Sequence, residues 1–201
     1  MSRLAHIVLL PDDQAEALQA WWLTEDGLTA FEPSAEDGEV LPVIALAAPE
    51  HVVVRWHGFE GLAPKQAEAA ARLEAASASI DAAGLHIAAQ EHGGAVVSGS
   101  IDSQFFARGL ALLKSEGLDP DHVWPIGLLL SADGDDVLRA RIGNACALRL
   151  GPQIFPDDPA LAALIAVDKP VRDIAQPEFA GYLRAALSEP PLNLRSGQFA
   201  K

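Results

Sequence analysis

The sequence predicts a mixed α/β or α+β fold with two similar lobes, and three observations carry that reading. Short apolar or β-branched runs bounded by turn residues cluster before residue 60 and again between 85 and 101. A helical pattern follows each cluster, over 65–80 and over 103–117. A hairpin signal and two helices headed by proline complete the chain, with no exact internal sequence repeat.

Taken in order, Leu4 to Leu10 (LAHIVLL) reads as a buried strand closed by the turn Pro11-Asp12-Asp13. Trp21-Trp22-Leu23 begins the next strand, and Glu32 to Glu39 is an acidic loop with Pro and Gly. Val40 to Ala47 and the β-branched His51 to Trp56 are further strands. Pro64 suits the first turn of the helix KQAEAAARLEAASASI, whose Ala-rich face should pack closely on a neighbour. Leu85 to Ala89 and Ala95 to Ile101 form a strand pair joined by Glu91-His92-Gly93-Gly94.

Asp102 or Ser103 caps the next helix, in which Phe106, Leu110 and Leu113 share a face until Gly117 supplies a left-handed stop. Leu128-Leu129-Leu130 reads as a core strand. Val137 to Ile142 and Ala145 to Leu150 flank Gly143-Asn144, a two-residue hairpin signal. Asp158-Pro159 caps and opens a helix with Leu161, Leu164 and Ile165 on one side. Pro177 opens another, with Phe179, Leu183 and Leu187, that Pro190-Pro191 ends before a polar tail.

Composition narrows the function classes. With half its residues apolar and 21% charged, the chain is too hydrophobic to be intrinsically disordered despite a net charge of −14. That charge repels phosphate backbones and anionic lipid, so nucleic acid is not an expected partner. Cys146 has no second cysteine to pair with, which fits a reducing compartment. No run reaches the roughly 18 apolar residues of a membrane helix.

Chemistry-bearing patterns are sparse. The six histidines make no ligand pair, so no metal is expected, and Asp133, Asp135 and Asp136 lack calcium-loop spacing. Ser98-Gly99-Ser100 is not a nucleophile elbow, Cys146 reads as a buried structural thiol, and Gly93, Gly94 and Gly99 fit no phosphate cradle. Neither catalytic residues nor cofactors are expected. Trp21, Trp22, Trp56 and Phe59 are chiefly core residues, with Trp56 and Phe59 also candidate interface anchors. Arg139 and Arg141 alternate with apolar neighbours, so they should face outward and pair with an acidic partner or with the chain's own carboxylates.

Several stretches, in order, resemble the cytoplasmic part of the type II secretion L protein family. They are IVLLPDD, LAAPEHVVVRWHGFEGLAPKQAEAAARLE, LHIAA, GLDPDHVWPIGLLL, the hairpin with GPQIFPDDPALAALIA, and PLNLRSGQFAK. The resemblance implies an actin-like ATPase superfamily fold over residues 1–190, with lobes at 1–84 and 85–190. It also implies that 191–201 is a linker toward a membrane helix outside these residues, with Arg195 and Lys201 as charges preceding it.

Actin-like ATPases place a phosphate turn bearing Gly and Ser/Thr between their first two strands. Here Pro11-Asp12-Asp13-Gln14-Ala15-Glu16 offers carboxylates to a group that needs donors, so a degenerate nucleotide site is expected. The resemblance implies a non-catalytic assembly-platform component at the cytoplasmic face of the bacterial inner membrane. Its implied partners are the N-terminal region of the type II secretion ATPase, the inner-membrane M and F proteins, and a second copy of itself. The alternatives are a nucleotide-binding actin-like protein of a type IV pilus-type machine and a small actin-like ATPase or kinase. On the docking reading, charge reversal at Arg139 and Arg141 is expected to weaken ATPase binding.

Overall fold

The computed structural model describes residues 2–12, 17–32, 41–92, 94–131 and 134–201. Residues 33–39 of the expected Glu32–Glu39 loop and parts of the Pro11–Glu16, Glu91–Gly94 and Asp133–Asp136 turns lie outside them. The first sheet contains β1 (Arg3–Leu9), β2 (Ala20–Thr24), β3 (Leu28–Phe31), β4 (Val43–Ala47) and, later in the chain, β8 (His122–Pro125). Their order is β3-β2-β1-β4-β8, with β1, β2 and β3 antiparallel and β4 and β8 parallel to β1.

Between β4 and β8 the chain makes a smaller unit. It comprises β5 (Val52–His57), α1 (Pro64–Ser77), β6 (Leu85–His92), β7 (Ala95–Asp102) and α2 (Ser103–Ser115). The three strands form an antiparallel sheet, β5-β7-β6. After β8 come α3 (Ile126–Leu129), β9 (Val137–Ile142), β10 (Ala145–Leu150), β11 (Gln153–Pro156), α4 (Pro159–Ile165), β12 (Val171–Ile174) and α5 (Gln176–Ser188). The third sheet runs β11-β10-β9-β12, again an antiparallel meander with a parallel fourth strand beside the first.

The repeat of pattern is therefore between β1–β4 and β9–β12. A division at 84/85 would cut the β5-β7-β6 sheet, whose strands hydrogen-bond across that point. The division that the sheets favour falls between α3 and β9.

Strands β1, β2 and β4 of the first sheet are buried on both faces, as their apolar runs require, while the edge strand β3 is partly exposed. Ile7, Leu23, Ile44 and Leu46 on one side meet Leu138 and Ala140 of the third sheet and Phe179 and Leu183 of α5. Val8, Ala45 and Val123 on the other side meet Val97, Ile101, Phe106 and Leu113 of the smaller unit. Helix α1 buries Ala67, Ala71 and Ala75, the close-packing alanine face expected of it. Asp102 caps α2 by accepting from Phe105 N–H at 2.7 Å, and Gly117 leaves the helix at φ +78°.

Some expectations fail for physical reasons. Leu128 and Leu129 end the short helix α3, because apolar residues on a buried turn mimic a strand run. The tail also differs from a linker. Leu192 and Leu194 are 2% and 0% exposed, packed over Gly99, where a Cβ would come within 2.8 Å of both. Leu194 N–H bonds Val123 O at 2.9 Å along the edge of β8, and Arg195 and Lys201 pair with Asp119 and Asp121. This tail is a strap across the first sheet and the smaller unit.

Candidate docking surface

Two concave places and one buried network have the ingredients of a site. A cavity of about 240 Å³ opens at the carboxyl ends of β1 and β4, bounded on its far side by the β9–β10 turn. Ligands of open α/β sheets bind at such strand ends. Its polar lining includes Asp12, Glu50, His51, Gln19 and Asn144, and no Lys or Arg among the described lining residues. Asn144 N–H, one backbone donor of the β9–β10 turn, already donates to Gln19 Oε1 at 3.0 Å. Gly143 makes this closure possible: its φ is +57°, and a Cβ would stand 1.7 Å from the same Gln19 oxygen.

The second place is an open groove of about 460 Å³ between β5 and β11. Trp56 lines it with Val54, His57, Glu74, Ile154 and Ile165, the last from α4. Trp56 Nε1 donates to Pro152 O at 3.0 Å, and the Arg149 guanidinium lies 5.6 Å from its ring. The indole is thus half-buried and held at the mouth of a groove of mixed polarity, which suits an interface anchor.

The network was not foreseen from sequence. His57 Nε2 is 2.8 Å from Ser98 Oγ, and His57 Nδ1 is 3.0 Å from Glu74 Oε2. These are the distances of a nucleophile, base and orienting acid. Ser98, however, has 0% exposure and sits under α1, so no substrate carbonyl can approach its oxygen. The network ties α1 to its sheet. Only residues 41 and 17 positions apart in sequence make it, which no local motif reveals.

The sequence-predicted interface residues separate. Trp56 lines the groove, whereas Phe59 stacks on His57 at 5.8 Å and packs against Ala67 and Val96 at the other end of α1. Arg139 and Arg141 lie on the outer face of the third sheet, as their alternation indicates. Arg139 makes a bidentate pair with Asp173 at 2.6 and 2.8 Å, and Arg141 meets Asp157 at 2.6 Å. Bonding to Asp173 raises the Arg139 pKa and lowers that of Asp173. Both guanidiniums therefore serve the chain's own carboxylates. Cys146 is buried beside Asp157, and burial together with that charge pushes its thiol up to about 11. It is not a thiolate nucleophile near neutral pH.

Among the described residues, no group of three or more His, Cys, Asp or Glu converges as a metal site would, and no helix is long and apolar enough to cross a membrane. Trp21 and Trp22 are core residues, 8% and 6% exposed.

No family model and no curated protein matches the chain by sequence. Its structure is similar to the cytoplasmic domain of EpsL, an inner-membrane component of the type II secretion system of Vibrio cholerae. That match has a TM-score of 0.72 at 15% identity, covering 97% of this chain and 99% of that one. A second similar structure is the PilM-PilN type IV pilus biogenesis complex, with a TM-score of 0.46 at 17% identity over 94% of this chain and 74% of that one. The chain has a mixed α+β fold similar to that of the EpsL cytoplasmic domain over nearly its whole length.

Proposed function

We propose that this chain is a non-catalytic component of a type II secretion assembly platform, which docks the N-terminal region of the secretion ATPase at the cytoplasmic face of the inner membrane. The observation that carries the reading is the end-to-end correspondence with an inner-membrane secretion component, 97% of one chain against 99% of the other.

The first cavity supports the non-catalytic part. A triphosphate bound at the ends of β1 and β4 needs cations and free backbone donors. The described lining instead presents Asp12 and Glu50 and has the Asn144 N–H closed off by Gln19. The groove beside Trp56 supports docking, since it is open and sets apolar Val54, Trp56, Ile154 and Ile165 beside polar Arg55, His57, Glu74 and Gln153. Contacts with the M and F proteins, self-association, and attachment through a membrane helix outside these residues belong to the same proposal.

The test is a calorimetric titration of the folded chain with the N-terminal region of the secretion ATPase from the same genome, at low and high salt. Saturable binding is expected, weakening with salt because the surface carries a large negative charge. A folded chain that shows no heat of binding under either condition removes the docking role.

A further inference from the structure

We infer that the crest of α4, together with the adjoining Trp56 groove, is the face that receives the ATPase, and that the part received is a helix with apolar residues on one side and Lys or Arg beside them. The inference rests on the docking reading above and adds the surface and the chemistry of its occupant.

Three observations converge on this face. First, α4 has no buried residue, although three of its seven positions are Leu or Ile. Ala162 and Ile165 lean on Val137, Cys146, Leu148 and Phe155 of the sheet below. Leu161 and Leu164, one turn apart, point away from it with 38% and 76% exposure. Val167 just beyond the helix and Val171 at the start of β12 extend the apolar ridge, at 60% and 46% exposed. A ridge with i, i+3 spacing fits the groove of a second helix. Contiguous exposed apolar surface of this kind marks an interaction site.

Second, the ridge is continuous with the groove, because Ile165 of α4 lines the cavity that Trp56 closes on the other side. An aromatic anchor in a fixed orientation next to an unfilled ridge has the composition of a hot spot.

Third, the charges around the ridge choose the partner. The cations beside the ridge pair with the chain's own carboxylates, Arg139 with Asp173, Arg141 with Asp157, Lys169 with Asp135 and Arg172 with Glu178, while Arg55 in the groove donates to Ala75 O. Asp136 and Asp168 remain exposed, with no ion pair among the described residues. The rim is therefore net acidic. A second copy would set acid against acid, whereas a basic helix would complete both the apolar and the electrostatic pattern.

The experiment titrates the N-terminal region of the secretion ATPase into the folded native chain and into three variants, with thermal unfolding confirming that each variant is folded. The Leu164→Ser/Val167→Ser double variant is expected to bind roughly tenfold more weakly or worse. Asp168→Lys should weaken binding a few-fold and flatten its salt dependence. Leu73→Ser/Ile80→Ser changes exposed apolar residues elsewhere, 74% and 109% exposed, and should bind like the native chain. Native binding with an unchanged Leu164→Ser/Val167→Ser affinity would overturn the face and leave docking intact. Absence of native binding would overturn both. If sedimentation shows the native chain to be a dimer that the double variant converts to monomer, the ridge joins copies of this chain, and the assignment to the ATPase is wrong.

Discussion

Ser98 Oγ stands within hydrogen-bond reach of His57 Nε2, and Glu74 orients the same ring, yet the serine has no exposure. Its chemistry is therefore cohesive. Ser98→Ala leaves a buried imidazole nitrogen without its partner, a loss of about 1–3 kcal/mol. Urea denaturation should show this as a lower midpoint with an unchanged slope. His86 carries a pH dependence of its own. Burial first, against the opposing bond to Leu194 O, holds its pKa below the ordinary value of 6.5. Below that value the unfolded chain takes up a proton that the folded chain refuses, so stability falls as pH drops through 6.5. The loss should centre on the strap, where Nε2 meets Leu194 O at 2.6 Å and Phe199 packs edge-on against the ring. Melting temperatures from pH 7.5 to 5.5 should fall less steeply in His86→Gln than in the native chain; parallel slopes would clear His86 of the effect.

The strap and α4 are opposite kinds of element, and their contrast is measurable. Leu194 is fully buried between β8 and the smaller sheet, while Leu164 is mostly exposed on the α4 crest. Leu194→Ala should cost about 2–5 kcal/mol through lost burial and a cavity. Leu164→Ala should stay within about 0.5 kcal/mol. Equal losses in chemical denaturation would mean that α4 is packed more tightly than its exposure indicates. The sequence explains why one element was legible and the other was not. Asp158-Pro159 and the i, i+3 leucines announce α4 locally. The strap has neither helical nor strand periodicity, and its anchors lie at Gly99, Val123 and His86, far away in the chain. The four-residue strands β3, β8, β11 and β12 escape for a related reason, being too short to show an alternation.

At the scale of the molecule, the mixed α+β character and two-part recurrence were legible because apolar runs and amphipathic helices follow one another in order. The true pairing of that recurrence, β1–β4 with β9–β12, was hidden because the smaller unit interrupts the first half. The two meanders meet across the carboxylate-lined cavity, where Gln19 occupies the Asn144 donor. The cavity lies at the carboxyl ends of β1 and β4, where ligands of open α/β sheets bind, so it is the place to test the scaffold reading against the nucleotide-binding one. A ligand that binds only the folded state at 100 times its Kd adds about 2.7 kcal/mol. For a chain of this size that corresponds to a rise of roughly 5–10 °C in Tm. With two carboxylates in place of cations, Mg-ATP at millimolar concentration should shift Tm by less than about 1 °C, no more than Mg²⁺ alone. A saturable rise specific to the nucleotide would return the chain to the nucleotide-binding class. It would also require Gln19 to release Asn144, so Gln19→Ala should then strengthen the shift.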